Sequence, residues 1–184
     1  MNEIPLWILF SSIGVLILLS AFFSSAETSM MAINRYRLKH LVKERHKGAR
    51  RVSKLLQRTD KLLGVILVGN NFVNILASVI ATVIAIRLWG DGGIFPVTII
   101  MTVVILIFAE VTPKTIAALK PESVAFPAAV VLKPLANLLK PVISGINLIS
   151  NSITKILGVN PESESDDNLK PEELKTLLPE DEIK

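Results

Sequence analysis

An all-α integral membrane protein, with three transmembrane helices plus amphipathic juxtamembrane helices, is the fold class that this sequence predicts. Three observations predict it. Apolar residues make up 51% of the 184-residue chain and charged residues 20%, whereas soluble domains carry about a quarter charged residues. Apolar runs at residues 4–23 and 62–88 are long enough for a bilayer, which takes roughly 20 such residues. A third run, 94–109, reaches that length once the polar stretch to Lys120 is added. Cysteine is absent, so disulfide and thiolate–metal chemistry are excluded.

The first span, expected over about residues 5–31, is interrupted early only by Pro5, three serines and Gly14. No basic residue precedes it and no small-residue cleavage site follows, so a cleaved signal peptide is not expected. Residues 35–61 hold eleven Lys/Arg, with Glu44 and Asp60 as their only acids. Within them Leu38, Leu41, Val42, Val52, Leu55 and Leu56 fall largely at helical steps. That pattern predicts one or two helices over about residues 35–59, lying along the inner leaflet.

Spans at about 62–88 and 94–118 follow, joined by "WGDGGIF" (89–95), which contains no Lys or Arg. Short loops rich in Lys and Arg stay cytoplasmic. The basic segment is therefore inside and the Gly-rich turn outside, giving an external N-terminus and a cytoplasmic C-terminus. Trp7 and Trp89 near the outer ends agree with this placement.

Residues 121–158 are apolar but punctuated by Pro127, Lys133, Pro134, Lys140 and Pro141. Lys133, Lys140, Asn147 and Thr154 fall seven apart and form a polar stripe. Two Lys-Pro steps inside one span would be costly, so kinked interfacial amphipathic helices are expected rather than a fourth span. Residues 1–158 then form the membrane domain. Residues 159–184 read as an acidic cytosolic linker leading to a truncated regulatory region, since residues 161–184 hold nine acids against three bases.

Polar side chains inside the spans need a reason. "GNNFVN" (69–74) places Asn70 and Asn74 one turn apart within an apolar run, and Ser20 and Ser24 share that spacing in the first span. The third span offers Glu110, and a carboxylate at the bilayer centre costs roughly 2.5–3.5 kcal/mol on insertion scales. Pro113 has no N–H, so the Ala109 carbonyl loses its helical partner beside that carboxylate. At a rise of about 1.5 Å per residue, Ser24, Asn70 and Glu110 each lie about 14–16 Å from the nearest flanking basic residue used as a marker, Arg35, Lys61 and Lys120 respectively. Lys114 is nearer and is expected to snorkel or to pair with an acid such as Glu27. Hydroxyls, amide carbonyls, a carboxylate and a freed carbonyl are hard donors, suited to Mg²⁺, Ca²⁺ or Na⁺ rather than Zn²⁺ or Cu⁺. The bland alternative is that Ser and Asn act only as interhelical hydrogen-bonding glue.

With "LSAFFSSAETSMMAINRYRLKHL" (19–41), "GNNFVNILAS" (69–78) and "FAEVTPKTIA" (108–117) in view, residues 5–158 resemble the membrane domain of the CorC/CorB/cyclin M family. The resemblance implies a homodimeric magnesium transporter of the plasma (inner) membrane, with Mg²⁺ as transported ion, generally exported, and Na⁺ as a proposed coupling ion. It also implies a cytosolic nucleotide-binding regulatory domain beyond the residues given. Carried onto this chain, the metal site falls on Ser24, with Ser20 as second choice, on Asn70 and Asn74, and on Glu110 of the E-x-x-P-K motif. The Ala109 carbonyl is added from the reading of Pro113. The family carries a neutral residue where this chain has Glu27, so Glu27 is not taken as a required ligand.

The function expected is therefore divalent-cation transport by alternating access through an intramembrane oxygen site. Its rival is a membrane-embedded cation sensor or scaffold that signals to a cytosolic domain. No enzyme is expected: no His, Cys or Ser–Lys arrangement lies within the spans. The basic segment is expected to meet an anionic inner leaflet, and nucleic acid is not an expected partner.

Overall fold

The computed structural model describes residues 4–156, and every regular element among them is helical. The chain divides into two compact units, one up to Lys140 and one from Pro141. The acidic linker expected at 159–184 lies outside the described residues.

In the first unit, α1 (Leu6–Ala32) and α4 (Thr59–Trp89) are long apolar helices packed along one another. Between them come the short basic helices α2 (Arg35–Lys43) and α3 (Lys47–Leu56). Their starts are fixed by side chains that accept otherwise orphaned N–H groups. Asn34 Oδ1 accepts from the Tyr36 and Arg37 amides at 3.0 and 3.1 Å. His46 Nδ1 accepts from the Ala49 amide at 3.2 Å.

Beyond Trp89, the backbone of Gly90 takes φ +67°, a left-handed conformation that favours glycine. A short 3₁₀ turn, Gly90–Gly93, leads into α5 (Ile94–Val104), a π-helical turn (Ile105–Val111) and α6 (Thr112–Leu119). The chain reverses at the glycines. Ser78 and Glu110 line one cavity of about 320 Å³, whereas a straight helix would hold them about 48 Å apart. Residues 6–32 and 59–119 are long and apolar enough to cross a membrane.

α7 (Pro121–Leu138) completes the unit, with Pro127 and Pro134 inside it. It packs against α1, α3 and α4. Ala49, Val52 and Leu56 of α3 and Ala125, Ala128, Ala129 and Leu132 of α7 are buried in one cluster. The apolar face of α3, expected to rest on the inner leaflet, is thus turned to protein. Small residues on α7 and Gly48 permit that approach: a Cβ on Gly48 would stand 2.9 Å from Phe126. α8 (Lys140–Ile156), which lies in the second unit from Pro141 on, is amphipathic, with Ser152 and Thr154 donating to carbonyls four residues back at 2.8 Å.

Packing is inverted relative to a soluble protein. Ala26, Ala77 and Ala81 are buried together with Ser20, Ser24, Ser29 and Asn70, while Leu18, Phe72, Ile75, Ile100 and Phe108 point outward. Small and polar residues between helices with bulky apolar ones outside are the arrangement that lipid requires.

α1 meets α4 tightly at Gly69. A Cβ there would lie 2.6 Å from Phe23 Cζ and 2.7 Å from Cε1, so the ring rests on bare backbone. Gly69→Ala is expected to destabilise the protein by about 1–3 kcal/mol through overpacking. Gly14→Ala, which meets nothing within 4 Å, is expected to be neutral or slightly stabilising. Thermal unfolding of both variants in the same detergent checks the contrast.

Candidate cation site

α1 carries Ser20, Ser24 and Glu27 at steps of four and three residues, which lines them along one side of the helix. Ser20 and Ser24 are buried and Glu27 half-buried. At the upper step Ser20 Oγ donates to Asn70 Oδ1 across the α1–α4 interface at 2.8 Å. That bond joins two of the residues singled out from sequence. It also leaves a lone pair on Asn70 Oδ1 and lone pairs on Ser20 Oγ that no proton occupies.

One turn on, Ser24 Oγ is buried without a hydrogen-bond partner. Its neighbours behave differently: Ser25 donates to the Phe22 carbonyl and Ser29 to that of Ala26, both at 3.0 Å. A buried hydroxyl left unmade costs about 1–3 kcal/mol. Ser24 Oγ is therefore the buried side-chain oxygen that stands apart from its neighbours among the described residues.

At the lower step the charges converge. Lys114 Nζ lies 3.7 Å from Glu27 Oε2 and 3.8 Å from Glu110 Oε2. The expected pairing of Lys114 with Glu27 is present, and Glu110 joins it. These three side chains are 34–40% exposed, so the trio is open on one side. Two carboxylates share one ammonium, which leaves an uncompensated negative charge between α1 and the α6 arm.

Glu110 sits within the π turn, where the Thr112 amide donates to the Ile107 carbonyl, five residues back. Pro113 supplies no N–H. The carbonyl it fails to cap is that of Phe108 in the widened register and that of Ala109 in the α register that resumes at Thr112. Ala109 is fully buried. The π turn was not foreseen, because apolar periodicity does not distinguish it from an α turn. π turns of this length occur frequently at functional sites.

Asn74 is half-buried one turn beyond Asn70, and its backbone carbonyl accepts from Ser78 Oγ at 2.9 Å. Ser78 lines the 320 Å³ groove with Thr82, Thr98, Thr102 and Glu110. All four hydroxyls donate to carbonyls four residues back at 2.8–2.9 Å, which leaves oxygen lone pairs available. Sequence reasoning overlooked this groove, although the paired spacings Ser78/Thr82 and Thr98/Thr102 were there to be read.

The predicted residues thus fall into two groups along α1. Ser20, Ser24 and Asn70 form a neutral oxygen cluster; Glu110, with Glu27 and Lys114, forms a charged one. Among the described residues no hydrogen bond or ion pair links Glu110 to Ser24, Asn70 or Asn74, and no three His, Cys, Asp or Glu cluster as a metal cage. These residues offer neutral oxygens and at most two carboxylates, a donor set whose chemistry would suit a hard cation.

Comparison with known proteins bears on the same residues. The UPF0053 inner membrane protein YfjD of Escherichia coli is 45% identical over 162 residues, covering 88% of this chain and 38% of its own length. A UPF0053 protein of Haemophilus influenzae is 39% identical over 180 residues, covering 98% of this chain and 43% of its own. A chloroplastic DUF21 domain-containing protein of Arabidopsis thaliana, At1g55930, is 36% identical over 170 residues, or 90% of this chain and 25% of its own. The chain spans about two fifths of the length of the two bacterial relatives. The model of the cyclin M transmembrane N-terminal domain matches residues 12–182, which include the serine line of α1, both asparagines and the π turn. By that match this chain belongs to the cyclin M transmembrane domain family.

Proposed function

We propose that this chain is a divalent-cation transport domain whose cargo is Mg²⁺, moved by alternating access through the oxygen cluster between α1 and α4. One observation carries the reading: Ser24 Oγ, buried and unpartnered, stands one turn from the Ser20–Asn70 hydrogen bond. A group that needs only glue would have found a carbonyl, as Ser25 and Ser29 do. The domain crosses the inner membrane three times with its N-terminus outside, functions as a homodimer, exports the ion, and is not an enzyme. Na⁺ is the candidate coupling ion.

In this mechanism Ser24 Oγ, Asn70 Oδ1, Asn74 and the carbonyl that Pro113 leaves uncapped, that of Phe108 or Ala109, supply neutral ligands, and Ser20 orients Asn70. Mg²⁺ demands near-octahedral oxygen at 2.0–2.1 Å and sheds water reluctantly. Glu110 lends the charge that makes dehydration tolerable. Lys114 holds that carboxylate when the ion is absent and returns to it when the ion leaves. The groove of Ser78, Thr82, Thr98 and Thr102 leads from Glu110 toward the glycine turn and provides hydroxyl oxygens on the outward side.

A second reading is a cation sensor. It is favoured by the relatives' length, more than twice that of this chain, which leaves room for a cytosolic part that reads the site.

Three measurements test the proposal. Ser24→Ala removes the orphan oxygen, so without Mg²⁺ it is expected to be neutral or stabilising by up to about 1–3 kcal/mol. The rise in melting temperature on adding Mg²⁺ is expected to vanish in the same variant; a rise equal to wild type would remove Ser24 from the site. In proteoliposomes loaded with a Mg²⁺-sensitive dye, Asn74→Ala and Glu110→Gln are expected to abolish flux while the protein stays folded. Binding without flux in wild type would favour the sensor. Lys114→Met frees both carboxylates, and is expected to tighten Mg²⁺ binding up to about tenfold while slowing turnover. Calorimetry beside the flux assay reads both effects.

A further inference from the structure

Where the apolar run of α4 begins, six basic side chains from three parts of the chain surround one cavity. Arg51 and Lys54 come from α3, Arg58 and Lys61 from the start of α4, Lys133 from α7 and Lys140 from the last residue of the first unit. The cavity measures about 240 Å³. Packing of α3 on α7 through Ala49, Val52, Ala129 and Leu132 forces these residues together. They are 89 positions apart at the extremes, so no local helix preference explains the cluster.

None of the six is ion-paired with a carboxylate among the described residues. Arg37 pairs with Glu122, His40 with Glu44, and Lys114 with Glu27 and Glu110. Asp60 is adjacent in sequence to Lys61 and pairs with none of them. Six like charges lining one cavity repel one another. A chain that merely marked its cytoplasmic side had no need to gather them around a hollow.

We propose that this cavity is a phosphate site occupied by the headgroup of an anionic phospholipid carrying two phosphodiesters, as in diphosphatidylglycerol. Three features select the ligand. The charge excess calls for more than one phosphate. Leu55, Leu62 and Ala136 line the same cavity, which suits the glycerol and first methylenes of a lipid rather than a fully hydrated anion. Lys61 and Leu62 mark the step from charge to apolar run on α4, the depth at which bilayer phosphates lie. Basic pockets between helices on the cytoplasmic side hold such headgroups. Bound there, the lipid ties α3 to α4 and α7 at the foot of the helices that carry the serine and asparagine cluster.

The test compares the whole chain in nanodiscs of phosphatidylcholine with and without diphosphatidylglycerol. Native mass spectrometry counts lipid retained, and titration in detergent gives affinity and melting temperature. Wild type is expected to keep one diphosphatidylglycerol per chain and to be stabilised by it. The double variant Arg58→Gln, Lys133→Gln is expected to bind roughly thirty-fold more weakly, from two lost charges. The exposed control Arg35→Gln, Lys39→Gln, on α2 and outside the cavity, is expected to match wild type. Equal retention in the pocket variant and the control would overturn the proposal. So would stabilisation by inorganic phosphate alone to which the lipid adds nothing, since the occupant would then be a soluble anion. Neither readout involves Mg²⁺, so this proposal stands or falls apart from transport.

Discussion

The bare backbone at Gly69 is the constraint on which the site depends. Phe23 lies on it closer than any side chain would allow, and this brings α1 near enough to α4 for Ser20 Oγ to reach Asn70 Oδ1. The same contact buries Ser24 one residue beyond Phe23 and so withholds it from water. In lipid there is no hydrophobic drive between helices; close backbone packing and buried hydrogen bonds must hold them. Gly69, Ala26, Ala77 and Ala81 provide the first, and the Ser20–Asn70 bond provides the second. A site built from short side chains needs such proximity, because serine and asparagine have little reach.

Charge is arranged in two levels. Between the helices, Glu27, Glu110 and Lys114 form a small cluster with one more negative than positive group. Toward the start of α4, charge is positive and uncompensated among the described residues, apart from bridges such as Arg37 Nε to Glu122 Oε1 at 2.8 Å, which ties α2 to α7. The same chemistry that repels a cation at one level would concentrate an anion there, while the negative cluster above would attract a cation. An anionic lipid in the basic cavity would lower that electrostatic barrier. The lipid and transport proposals are thus physically compatible without either requiring the other.

Much of this was legible in the sequence, and the rest was not for definable reasons. Apolar length revealed the helical, membrane-compatible character, and Asn70 with Ser20 stood out because polar groups in apolar runs demand partners. The pairing of Lys114 with Glu27 followed from placing an ammonium near an acid within the apolar helices. The burial of α3 did not follow, because an amphipathic pattern says that a face is covered, not whether lipid or protein covers it. Lys133 and Lys140 were visible as a seven-residue stripe. Their meeting with Arg51, Lys54 and Arg58 depends on the long-range packing of α3 on α7, which one-dimensional spacing does not contain. Ser20, ranked behind Ser24, proves to be the serine with the direct bond, since rank by motif carries no information about rotamers.

The π turn has a geometric role beyond freeing a carbonyl. Met101, Ala109 and Ala117 are all buried, at successive steps of eight residues. At 3.6 residues per turn, eight residues overshoot two turns by about 80° and sixteen by about 160°. A straight α-helix would therefore turn Ala117 nearly opposite Met101 and bury only one of them. Residues 105–111 use a wider turn, which takes more residues per revolution and absorbs much of that drift. One face of the arm consequently stays against α1 and α4 along its length, and Glu110, adjacent to the buried Ala109, is held at the rim of that face. The widened turn thus brings a carboxylate to the helix interface without burying it, where Lys114 reaches it.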